Sequence, residues 1–250
     1  MGFYDLLKDE RKKKVGQIHQ KLLSYLKEKN RNDIPFFSDA DTYIRKAAYQ
    51  AIGKIFNQHK SLRKPILQLL KDLLTVKNAR VRQTAINAAG EIGLKEFELV
   101  ESIFDTGLFD EHHSVRNAVI GSMKKMGEKN PSPVLKWSKK YLHHPNKEIR
   151  REICHGIELR GRTHPQDILP LLKELQHDTK ARVRNTLIHV IGQISYKKGC
   201  LETVISQLKK WENKDLVTKA LVEIIDVHER YKDFAILTQR EAQKYISKHM

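Results

Sequence analysis

The chain is poor in the residues that build most disulfide, metal and β-rich folds. Its 250 residues include two cysteines, Cys154 and Cys200, which cannot make a disulfide framework and lack metal-ligand spacing. Aromatics are 7% of the chain, with 12 glycines and 7 prolines, too few for the turns and aromatic strands of a sandwich or barrel. No apolar run approaches the roughly 18 residues of a membrane helix, and the start Met1-Gly2-Phe3-Tyr4-Asp5 has no apolar signal core. There is no Gly-rich phosphate loop, GxSxG, HExxH or CxxC, so hydrolase, nucleotide-binding and cofactor readings have no support. Twelve histidines are present, but His112-His113, His143-His144, His155, His164, His177 and His189 are scattered, and no metal is expected. These traits fit a soluble, cytoplasmic protein with free thiols and no membrane contact, expected to be a monomer.

What is abundant is positive charge. Lys and Arg number 47 against 30 Asp and Glu, a net charge of +17. Solubility needs far less, and the common partners of such a surplus are nucleic acid, an anionic membrane or an acidic protein, with nucleic acid the first expectation.

One segment recurs. It begins as DTYIRKAAYQAIGKI at Asp41 and returns in forms such as NARVRQTAINAAGEIG, NKEIRREICHGIELRG and KARVRNTLIHVIGQIS. An apolar residue followed by arginine marks each copy, at Arg45, Arg82, Arg116, Arg150 and Arg184, in steps of 37, 34, 34 and 34 residues. A sixth copy keeps Val217 and replaces the arginine with Thr218. Such a period is the mark of a solenoid. Val81, Ala85, Ala89 and Ile92 form one stripe on a helix, as do Val183, Leu187, Ile191 and Ile194. Asp41, Asn78 and Asn146 stand where N-caps belong. Partner helices are expected from Pro65, Glu96, Ser132, Pro165 and Cys200. The fold expected is all-α, a right-handed α-solenoid of about six helix pairs of HEAT type. It forms one domain over residues 1–250: an opening helix from about Val15 to Lys29, repeats over about 34–228, and a closing helix over about 238–248. The run Lys8 to Lys14 reads as a solvated face or a frayed end, with a nucleic-acid contact as the sharper alternative. Ile44, Val81, Val115, Ile149, Val183 and Val217 should be equivalently buried.

In HEAT-type arrays an arginine at the marking position braces neighbouring repeats. The extra cations at the same helix starts are Lys46, Arg80, Lys147, Arg151, Lys180 and Arg182. They are expected on one rim of a concave face, roughly 10 Å apart from repeat to repeat, where helix N-termini add partial positive charge. That spacing suits a phosphate backbone and gives position without base specificity.

Three stretches carry a family resemblance. The segment from Leu99 to Ile153, with its NP…W…HPN-x-x-x-RR pattern, the helix HVIGQISYKK, and the closing LTQREAQKYI together resemble the AlkD-type alkylpurine DNA glycosylases of the AlkC/AlkD superfamily. The resemblance implies duplex DNA as partner and removal of a cationic alkylated purine. A carboxylate would stabilise the positive sugar and aromatic faces would hold the lesion. The family's Trp-Trp-Asp-x-x-Asp turn corresponds here to Leu108-Phe109-Asp110-Glu111-His112-His113. Phe109 thus stands as lesion-side aromatic and Asp110 or Glu111 as the catalytic acid. The family's final acid falls on His113 and its IGW tryptophan on Gln193, while Trp137 and Trp211 read as packing residues. The resulting expectation is a basic repeat protein that binds duplex DNA and is related to alkylation-repair glycosylases. The alternative is a protein-protein interaction scaffold, a common use of such arrays.

Overall fold

A computed structural model of the chain describes residues 2–28 and 33–250. Among the described residues there are helices, short 3₁₀ turns and loops, and no strand. The α-helices are α1 (Lys8–Lys27), α2 (Thr42–Gln58), α3 (Arg63–Leu73), α4 (Ala79–Glu96), α5 (Glu101–Leu108), α6 (His113–Lys129) and α7 (Pro131–Tyr141). They continue as α8 (Lys147–Gly156), α9 (Glu158–Gly161), α10 (Pro165–Lys173), α11 (Ala181–Gln193), α12 (Cys200–Leu208), α13 (Lys214–Arg230) and α14 (Gln239–His249). The chain packs as two compact units, residues 1–122 and 123–250.

In the first unit α1 packs on α2 and α2 on α4, while α3 and α5 cover the same helices from one side. In the second unit α8 packs on α11, α11 on α13 and α13 on α14, with α7 against α8 and α10 against α9 and α12. Within each unit the repeat-marking helices therefore pack on one another in sequence with partner helices beside them, which is the HEAT-like helix-pair plan. The row is tight. A Cβ at Gly53 of α2 would meet Glu91 Cβ of α4 at 2.6 Å, and one at Gly192 of α11 would meet Glu223 Cγ of α13 at 2.6 Å. Only glycine allows these approaches.

The apolar stripes make the core. Leu187, Ile191 and Ile194 are fully buried, as are Ala85 and Ala89; a buried Leu or Ile contributes roughly 1.5–3 kcal/mol. Trp137 and Trp211 are buried packing residues, as expected. The N-caps are also where the sequence puts them. Asp41 accepts from the Tyr43 N–H at 2.7 Å, Asn78 from Arg80 at 3.0 Å and Asn146 from Glu148 at 2.9 Å. Thr238 and Glu241 close a capping box on α14.

Three expectations are corrected. The run Lys8–Lys14 is the solvated first part of α1 rather than a frayed end: the Leu7 N–H donates to Glu10 Oε2 at 2.8 Å, and Asp9 and Glu10 favour the helix start. Lys29, the expected end of that helix, lies outside the described residues. The partner helix expected from Glu96 begins instead at Glu101. α4 runs on to Glu96, and a 3₁₀ turn follows that is anchored by buried Phe97 against Phe104. Finally, Val115, Ile149, Val183 and Val217 are buried, but Ile44 and Val81 are only half-buried. Ile44 faces a groove of about 420 Å³ shared with Phe3, Leu6 and Gln17, because a lone helix and an N-terminal turn precede the first pair. Val81 opens on a groove of about 330 Å³ beside Tyr25, Ile34 and Val76.

Candidate nucleic-acid interface

The marking arginines share one geometry. Each turns its Nη1 back to the carbonyl six residues earlier, and Arg45, Arg82, Arg116 and Arg150 also to the one five residues earlier. Arg45 donates to the oxygens of Asp39 and Ala40, Arg82 to Val76 and Lys77, and Arg116 to Asp110 and Glu111. Arg150 donates to His144 and Pro145, and Arg184 to Asp178. The arginine thus folds the loop before its own helix onto the helix start. Two of them also reach the next repeat. Arg82 holds both carboxylate oxygens of Asp110, at 2.7 and 2.9 Å, and Arg150 both oxygens of Asp178, at 2.5 and 3.0 Å. The bracing of neighbouring repeats expected of the marking arginines is displayed by Arg82 and Arg150.

This places the two candidate acids differently. Asp110 lies in the α5–α6 connection with its side chain 10% exposed, and Oδ1 also accepts from the His112 N–H. Burial would raise its carboxyl, but the Arg82 guanidinium and the His112 N–H outweigh that and hold it below the usual carboxylate range. Asp178 has the equivalent partners, Arg150 and the Lys180 N–H, and the same downward shift in a repeat that carries no catalytic expectation. Glu111, 89% exposed, sits 3.6 Å from Arg82 and is the accessible carboxylate of the segment. Phe109 caps the end of α5 with its ring exposed, and His113 opens α6 with its ring stacked on His112. Gln193 is buried. Its Oε1 accepts from Arg162 at 2.8 Å and its Nε2 has no partner, so no surface aromatic stands at that position.

The cations at the helix starts divide into two kinds. Lys46 and Arg80 in the first unit, and Lys147 and Lys180 in the second, are exposed. Among the described residues their side chains have no acidic partner. Arg151 and Arg182 are not free. Arg151 Nε lies 3.0 Å and Arg182 Nη1 3.2 Å from the two oxygens of Glu148, so a single carboxylate bridges α8 and α11. Spacing alone could not reveal that bridge, because Glu148 meets Arg182 across 34 residues of sequence.

Beside this bridge a groove of about 460 Å³ opens, lined by Arg151, His155, Arg182, Asn185, Thr186 and His189. At its edge is a charged knot that sequence reasoning missed. Glu158, 1% exposed, takes Arg162 on Oε1 at 2.5 Å, and on Oε2 takes Lys124 and His155, both at 3.1 Å. Burial pushes the Glu158 carboxyl up, but His155, Lys124 and Arg162 together hold it down at about 2.

Residues 34–107 match the family model for HEAT repeats. No curated protein matches the chain in sequence. Among solved structures, AlkD2 from Streptococcus mutans is similar with a TM-score of 0.53 at 18% identity, over 84% of this chain and 96% of that one. A crescerin structure, described as using a TOG domain array to regulate microtubules in the primary cilium, gives 0.51 at 16% identity over 90% of this chain and 91% of its own. At these identities the likeness establishes the fold, all-α with HEAT-like repeats.

Proposed function

We propose that this HEAT-like repeat protein binds the phosphate backbone of duplex DNA through the starts of its repeat-marking helices. One observation carries the reading: Lys46, Arg80, Lys147 and Lys180 stand exposed at those starts without an acidic partner among the described residues. A cation already paired gains little by meeting a phosphate, whereas a free one releases counterions when it does. The N–H groups of the same helix turns add partial positive charge. The net charge of +17 is consistent with this role.

Arg151 and Arg182 enter as orienting residues held by Glu148, with their remaining donors directed to a neighbouring phosphate. The likeness to AlkD2 makes DNA the first nucleic acid to test. The reading is one of binding. Asp110 is spent on Arg82, so Glu111 is the one acid of the proposed catalytic pair that could face a substrate, with Phe109 beside it. The rival is a protein-interaction scaffold, favoured by the likeness to a TOG-domain protein. Retention of a labelled duplex at low salt supports DNA binding; failure to retain it at any salt favours the scaffold.

A further inference from the structure

The knot at Glu158 lies outside everything assigned above. Three ligand atoms, one each from His155, Glu158 and His189, lie within 4.8 Å of one another. They come from α8, the start of α9 and α11, all within the second unit. Two imidazoles and a carboxylate are a recurrent donor set for zinc-like ions, which take three protein ligands and leave further positions to solvent or substrate. Both imidazoles line the open groove described above, so an ion has an entry path and a free side.

The supporting groups are also in place. Glu158 Oε1 is fixed by Arg162, at 2.5 Å from Nη2 and 3.0 Å from Nε, which aims Oε2 at the cluster. Arg162 is in turn tied to Gln193 Oε1. On the far side, Glu223 Oε1 lies 3.5 Å from His189 Nδ1, within reach to orient that ring. Outer carboxylates of this kind set the tautomer and raise the basicity of a ligating histidine.

A cation already marks the position. The Lys124 ammonium lies 2.9 Å from His155 Nε2 and 3.1 Å from Glu158 Oε2, against two of the three ligand atoms. It arrives on α6 at the end of a flexible, partly exposed side chain. A buried carboxylate needs a positive partner, and a tethered ammonium can be exchanged for an ion without leaving Glu158 bare. Cys154, one residue before His155, is not a ligand, since its thiol is wholly buried and burial pushes its pKa far up.

We infer that His155, Glu158 and His189 form a site for a zinc-class divalent ion, with Lys124 as a built-in competitor that occupies it when the ion is absent. The nitrogen donors favour Zn²⁺ or Co²⁺ over Mg²⁺ and Ca²⁺. The ion stands next to Arg151 and Arg182 but is independent of DNA binding.

The test is calorimetric titration of the whole chain with Zn²⁺, and separately with Mg²⁺, at fixed pH. The proteins are the parent, Lys124→Met, and Lys124→Met combined with His155→Ala or His189→Ala. Removing the competitor should tighten Zn²⁺ binding about tenfold if the ammonium holds the site roughly nine-tenths of the time. Each histidine change should then undo that gain, and Mg²⁺ should give no heat in any of them. Circular dichroism of each variant checks that it is folded, and Co²⁺ absorption in the parent and Lys124→Met gives a second readout of nitrogen ligation. Equal Zn²⁺ affinity in the parent and Lys124→Met would overturn the inference. So would Zn²⁺ binding as tight in both histidine variants as in Lys124→Met.

Discussion

Arg82 grips Asp110 across one repeat in the same way that Arg150 grips Asp178, with both nitrogens of each fork on both oxygens of each carboxylate. In each case the aspartate's own backbone oxygen accepts from the next marking arginine, Arg116 or Arg184. The chain arginine–aspartate–arginine therefore ties successive repeats together. The Arg82 side chain is 7% exposed, so its charge has nowhere else to go.

Replacing Asp110 by asparagine should therefore destabilise the protein. Breaking a buried ion pair by removing one partner costs about 3 kcal/mol or more. Asp178→Asn should cost a similar amount. Denaturant unfolding followed by circular dichroism measures both. An Asp110→Asn protein as stable as the parent would mean that the carboxylate is not a brace.

The same pairs set an acid limit. The carboxyls of Asp110 and Asp178 lie below their ordinary value in the folded state. Stability from such groups is present above the unfolded carboxylate pKa, about 3.9, and is lost as pH falls through the depressed folded value. Thermal melts should hold steady from neutral pH to about 5 and then fall steeply. In the Asp110→Asn variant the fall should be shallower. An equal acid slope in parent and variant would contradict the assignment.

Charge reversal separates the interface from the rest of the basic surface. Lys147→Glu with Lys180→Glu should weaken duplex binding by about tenfold or more, since each lost phosphate contact removes counterion release. Lys71→Glu with Lys209→Glu changes charge equally on the exposed faces of α3 and α12, and should weaken binding far less. Fluorescence anisotropy at one fixed salt concentration compares them. Equal weakening would show that only net charge matters.

Excision is expected to fail. With Asp110 occupied and Gln193 buried, incubation with methylated duplex should retain the DNA and leave no abasic sites, scored by alkaline cleavage. Abasic sites that vanish in Glu111→Gln would contradict this and give Glu111 the chemical role.

The repeat was legible because one arginine and one apolar residue return at a fixed interval, and both report on contacts local to a repeat. The caps at Asp41, Asn78 and Asn146 were legible for the same reason. What the sequence hid were the partners in the contacts between repeats. The Arg82–Asp110 pair spans 28 residues and the Arg182–Glu148 bridge 34, and no local pattern announces either. Asp110 therefore looked like a free acid in a familiar turn, and Arg151 and Arg182 like free cations. Likewise Ile44 and Val81 obey the periodicity yet stay half-buried, because burial depends on what packs against them as well as on register. The His155–Glu158–His189 cluster draws on three helices and has no linear motif.

The most direct measurement is the affinity for a short duplex as a function of salt. Log affinity should fall linearly with log salt, with a slope of about 0.9 per phosphate contacted. Four free cations at the helix starts predict a slope of magnitude about 3 to 4 in the parent. The Lys147→Glu, Lys180→Glu variant should show a slope lower by about 2. No binding at low salt, or an affinity indifferent to salt, would contradict DNA-backbone binding and leave the scaffold reading in its place.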